Sequence, residues 1–292
     1  MSASRSALRY LLAAGLTILV FGIVSAVLAV CVDPYRMFGT RGIEGWTALK
    51  PRAYQQSDLA KTYMLQRARP RTLLLGNSRV EVGLDPQSAA WPARLKPVFN
   101  AAEAGHDLFT ALLFLQQDIA LKPPTLVVLG VDFQDFIASG DDPADPPVGP
   151  NEMRMLVARN GTPNRASAFA YWQDAHISTL TIDAISDSIL SLASQNRSSG
   201  VTMTADGFNP LHEYRAAVRS EGAYSLFAQK QAAYLAQYSG FHASDFRIPQ
   251  QNPQFRYLAR ILLAAAAHKC NLVIFIYPYH VRYLEMLHQL GL

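Results

Sequence analysis

The chain is short of cysteine, of charge and of any repeat. Two cysteines, Cys31 and Cys270, stand in 292 residues, too few for a disulfide framework or a thiolate zinc site. Charged residues make up 16% and apolar residues 50%, a balance that excludes a disordered chain. The 26 basic and 22 acidic side chains leave a net charge of only +4. That is no electrostatic footprint for nucleic acid, and no basic stripe interleaved with aromatics supplies one. Its 17 glycines follow no period, which excludes a collagen-like chain, and no self-similarity of solenoid length is present. A chain of this length holds one or two domains.

Charge is absent altogether from Leu11 to Val32, a run of Leu, Val, Ile and Ala closed by Asp33 and Pro34. As a helix the run reaches roughly 33 Å, enough for a hydrocarbon core of roughly 30 Å. Arg5 and Arg9 precede it, so the N-terminus is expected in the cytoplasm and everything after Asp33 outside. Val27-Leu28-Ala29 would pass as a cleavage site, and Leu28-Ala29-Val30-Cys31 as a lipidation box with Val30 out of place. A signal peptide's apolar region is shorter than this one. The expectation is an uncleaved anchor whose partner is the lipid bilayer.

Residues 33–70 read as a juxtamembrane linker running into a helix over Leu59–Gln66, capped by Asp58. Lys50, Arg52, Lys61, Arg67, Arg69 and Arg71 make the stretch basic, as a solvated surface would be. Three continuous apolar runs, Thr72–Leu75, Thr125–Val131 and Leu272–Ile276, predict strands buried on both faces, with Pro97–Asn100 a shorter candidate. Helical periods over Leu108–Ala120 and Phe255–Ala267 alternate with them. That alternation predicts an α/β fold with a doubly wound parallel sheet, which binds ligands beyond the carboxyl ends of its strands. Ile137–Asn252 is too long for one crossover. It opens on the loop Gly140–Pro147 and continues in helices over Ala168–Ala193 and Ala223–Tyr238, with a turn at Asp206-Gly207. It reads as a helical insertion, either a cap over the carboxyl edge or a packing subdomain. Tyr214, Tyr224, Tyr234, Tyr238 and Trp172 within it read as core aromatics.

The first strand runs into Gly76-Asn77-Ser78-Arg79, which places a serine hydroxyl on the ligand edge. Val80 stands where a Gly-x-Ser-x-Gly elbow needs its second glycine, and no phosphate-loop lysine follows. Leu73-Leu-Leu-Gly-Asn-Ser-Arg-Val80 resembles the first sequence block of the SGNH (GDSL-like) hydrolases, closest to the membrane-anchored bacterial branch that includes the alginate acetylation proteins. Phe99-Asn-Ala-Ala-Glu-Ala-Gly105 resembles the second block, and Gly130-Val-Asp-Phe133 takes the place of the third.

The resemblance implies an SGNH-like domain over 71–292, with 137–252 as its insertion, on the periplasmic side of a bacterial inner membrane. It implies an esterase or O-acyltransferase of envelope polysaccharide, with Ser78 as nucleophile. Gly105 and the Ser78 backbone N–H would donate to the oxyanion, with Asn77, Arg79 and Asp132 on the substrate side. Asp132 stands where the family has a donating asparagine. No Asp-x-x-His follows Leu272–Ile276, which implies a domain that stops before its last strand. His280, after Tyr277-Pro278-Tyr279, is the substitute base on the correct edge. The incomplete set leaves a second reading, a non-catalytic membrane-tethered scaffold in polysaccharide modification or export. Asp132 and Asp135 have no histidine at ligand spacing, so neither a metal site nor a cofactor is expected. Asp141, Asp142 and Asp145 read as a solvated loop, and Asn160-Gly-Thr162 and Asn196-Arg-Ser198 as chance glycosylation triplets.

Overall fold

The computed structural model describes residues 2–137, 146–195, 203–246 and 252–292, with side chains from Ser6 onward. Asp141, Asp142, Asp145 and the triplet at Asn196 lie outside the described residues. In chain order the helices and strands are α1 (Ser2–Val32), α2 (Ser57–Ala68), β1 (Thr72–Leu75), α3 (Ser78–Gly83), β2 (Val98–Asn100), α4 (Leu108–Leu121) and β3 (Leu126–Val131). There follow α5 (Pro150–Arg154), α6 (Ser167–Leu180), α7 (Ile182–Ala193), α8 (His212–Glu221), α9 (Ala223–Tyr238), α10 (Pro253–Ala267), β4 (Asn271–Ile276) and α11 (Val281–Gln289).

The fold is mixed α/β. All four strands pair in parallel, in the order β2-β1-β3-β4. Alternate side chains of a strand point to opposite faces, and both faces find a core. On one, Leu73, Leu75, Val127 and Leu129 pack with residues of α2, α4 and α10, among them Leu65, Leu112 and Ile261. On the other, Leu74 and Val128 pack with Val80 of α3 and with Tyr277. Among the described residues β4 pairs only with β3. Val273, Ile274 and Ile276 are exposed, the last at 74%. The continuous apolar run that predicted burial on both faces therefore ends at an uncovered edge.

Among the described residues, one helix is long and apolar enough to cross a membrane: Ser6–Val32, 27 residues within α1. Its length exceeds the apolar thickness of a bilayer. Most of its surface is exposed apolar side chain, but Ser25, Ala29 and Val32 are buried. They recur at helical spacing, and α6 and α7 pack on this helix.

Several local expectations are corrected. Asp58 does not cap α2. It lies in the helix's first turn, and Gln56 is the N-cap, without a side-chain hydrogen bond. The helix expected over Ala168–Ala193 breaks at Thr181, whose hydroxyl accepts from the Ala184 N–H and starts α7. The basic stretch is a solvated surface only in part. Arg67, Arg69 and Arg71 are exposed, whereas Lys61 is fully buried and Lys50 nearly so, and Arg67 donates to the carbonyls of Arg36 and Met37. The insertion divides in two: α6–α7 flanks α1, whereas α9 packs on α11 beyond the end of β4.

Candidate functional site

Strand order reverses beside β1. β2 lies on one side of it, and β3 and β4 on the other. In a parallel sheet the crevice at such a reversal, beyond the carboxyl ends, is where ligands bind. Here that edge carries the turn after β1, the loop after β2 and the turn after β3.

Gly76 turns the chain with φ +144, and a β-carbon there would sit 2.5 Å from the Tyr277 hydroxyl. Only glycine admits both the backbone conformation and the close ring. Asn77 is buried and wholly occupied. Its side-chain oxygen caps α3 by accepting from the Arg79 N–H at 3.0 Å, and its amide donates to Asp132 at 3.4 Å. Its own N–H donates to the Tyr277 hydroxyl at 3.3 Å. Ser78 is left exposed at the start of α3, and its hydroxyl makes no hydrogen bond among the described residues.

The loop after β2 lies alongside. The Glu103 N–H donates to the Gly76 carbonyl at 3.3 Å. Two residues on, Gly105 takes φ +80 and is exposed. Asn100 fixes this arrangement by donating to the carbonyls of Val80, Glu81 and Leu84, which tethers α3 to β2.

Asp132, after β3, is almost fully buried. Its carboxylate accepts from Asn77, from the Gln134 N–H and side chain, and from the Tyr279 hydroxyl. The Arg79 guanidinium pairs with it at 3.3 Å. Burial pushes the Asp132 carboxyl above the usual range, against the pull of Arg79 and these donors. Arg79 in turn lies 4.3 Å from the centre of the Tyr279 ring, and Tyr279 stacks on Tyr283 with ring centres 5.2 Å apart. Asn77, Arg79 and Asp132 thus form one connected unit. Tyr277, Tyr279 and Tyr283 complete it, and sequence reasoning did not assign them.

His280 stands on the same edge, exposed, as the N-cap of α11. Its Nδ1 accepts from the Arg282 N–H at 3.2 Å, and its ring packs on Phe227 with centres 4.7 Å apart. With Arg79, Lys230, Tyr234, Tyr279 and Tyr283 it lines a cavity of about 200 Å³ under α9. Ser78 is not among the residues lining it, and no hydrogen bond joins Ser78 to His280. Tyr238, expected as core, is buried, whereas Tyr224 and Trp172 are exposed.

His106, which follows Gly105 and reads in the sequence as a surface or structural histidine, has a partner that is distant in the chain. Its Nε2 lies 2.9 Å from the Asp58 carboxylate and 3.5 Å from that of Glu103.

No family model, curated protein or solved structure matches this chain.

Proposed function

We propose that the chain is a membrane-anchored, extracytoplasmic serine esterase or O-acyltransferase of SGNH type, acting on acylated envelope polysaccharide at a bacterial inner membrane. The observation that carries this reading is the placement of Ser78, exposed on the carboxyl edge beside the strand reversal, with the positive-φ loop at Gly105 alongside it. The Ser78 oxygen would attack the acyl carbonyl carbon, and the Ser78 and Gly105 N–H groups would take the negative charge that forms on the carbonyl oxygen. The alcohol leaves with the proton, and water or a sugar hydroxyl then receives the acyl group. A neutral serine needs a base. For His280 to serve, its ring must be free to turn from the cap it makes on α11 towards Ser78. Hydrolysis of p-nitrophenyl acetate by the full chain in detergent tests this. Ser78→Ala abolishes turnover, and His280→Ala lowers it about 100-fold or more.

A second reading, a tethered non-catalytic module, is favoured by how fully the edge is committed. Asp132 is saturated with donors and His280 is in use as a cap, while Arg79, Lys230 and the tyrosines line a cavity suited to binding. Saccharide binding that survives Ser78→Ala, without turnover in the parent chain, selects this reading.

A further inference from the structure

We propose that Asp58, Glu103 and His106 bind one divalent transition-metal ion of the zinc–manganese class, in a site that opens on a separate cavity at the N-terminal ends of α2 and α5. Their ligand atoms lie within 4.8 Å of one another. His106 Nε2 is 2.9 Å from Asp58 Oδ1 and 3.5 Å from Glu103 Oε2. Donors held at about 2.0–2.2 Å from a common ion stand roughly 3–3.5 Å apart, so two of the three edges already have a coordination polyhedron's length.

Glu103 is also held in place from behind, because the Ser57 hydroxyl donates to its Oε1. Such an outer partner orients a ligand and leaves its other oxygen free for the ion. The imidazole is fixed by stacking on Phe114, with ring centres 6.0 Å apart.

Glu103 points most directly to a ligand. The residue is 8% exposed, and its Oε2, turned toward His106, is buried with no hydrogen-bond donor among the described residues. A buried carboxylate oxygen left in that state costs free energy that a cation would recover. Lys61 does not supply it, being bound to Glu81 and the Ala102 carbonyl. Arg154 pairs with Asp174.

The adjoining cavity, about 510 Å³, is lined by Ser57, Asp58, Glu103, Asn151, Glu152 and Arg154 among others. It leaves room for water to complete the coordination. One imidazole with two carboxylates and no thiolate suits zinc or manganese. The nitrogen donor argues against calcium or magnesium. Glu103 and His106 share the loop after β2 with Gly105, but none of the three ligands has a part in the chemistry proposed for Ser78, so metal binding and esterase activity are read by separate measurements.

The test is equilibrium dialysis of the full chain in detergent, stripped with a chelator, against Zn²⁺ and Mn²⁺ separately. One ion bound per chain is expected for at least one metal. His106→Ala and Glu103→Gln are each expected to weaken binding about 100-fold or more, while His268→Ala, on the exposed end of α10, leaves it unchanged. Glu103→Gln keeps the residue's volume and its acceptor for Ser57, so loss of binding with an unchanged circular dichroism spectrum is a ligand effect. The visible absorption of Co²⁺-loaded chain gives a second readout, intense in the parent and lost in His106→Ala. Absence of stoichiometric binding of both metals, or binding that both substitutions leave unchanged, overturns the proposal. It would leave His106 as a strut between α2 and the loop after β2.

Discussion

Lys61 and Glu81 are both fully buried, with Nζ 2.9 Å from Oε1, and they join α2 to α3 directly behind the turn that presents Ser78. Two charges removed from water are expensive, and the pair repays that cost only while both partners are present. Lys61→Met should therefore destabilise the chain by roughly 3–5 kcal/mol, whereas Lys61→Met with Glu81→Leu should recover most of the loss. Thermal unfolding of the four chains of this double-mutant cycle measures the coupling. The sequence hid this pair. Lys61 falls in a stretch where six basic residues suggest a wet surface, and nothing local marks the one that turns inward. His106 was hidden for a related reason, since Asp58, Glu103 and His106 meet only when α2 packs against the loop after β2. By contrast, Ser78 was legible, because a serine directly after a buried strand falls on the ligand edge whatever the rest of the chain does.

The strands were readable to within a residue or so. Burial on both faces requires unbroken apolar runs, and Thr72–Leu75 and Leu126–Val131 have them. The helical insertion was less readable. Ile182, Ile185 and Ile189 continue an apolar period across Thr181, so periodicity alone does not show the break. The signal was the cap itself, a threonine directly before the new apolar period. Nor does helical spacing say that α6 and α7 belong to the anchor while α9 belongs to the carboxyl edge. Ala29 of α1 is fully buried, and α6 and α7 pack on that helix. Ala29→Phe should overfill this junction and cost about 1–3 kcal/mol, read as a lower unfolding temperature in detergent. Val27→Phe, on an exposed position of the same helix, should be near neutral.

Taken whole, the molecule joins one membrane-length helix to a four-stranded parallel sheet, and its stability should depend on pH in a defined direction. Both carboxylate oxygens of Asp118 are buried without a donor among the described residues, and desolvation pushes its pKa up to about 8. Asp135, also desolvated, rises to about 7. The native chain then holds protons that the unfolded chain releases, so these groups lower stability as pH rises from about 4 to about 8. Asp118→Asn removes one such group. Its stability advantage over the parent chain should grow by about 3 kcal/mol between about pH 5 and pH 8, measured by denaturant unfolding at each pH. A gap that stays constant with pH would contradict the assignment. The central claim concerns Ser78, and it is tested most directly by treating the full chain with a serine-directed fluorophosphonate and mapping the modified peptide by mass spectrometry. The account predicts one adduct, on Ser78, absent from Ser78→Ala and diminished in His280→Ala. An unmodified Ser78 in a folded chain would contradict it.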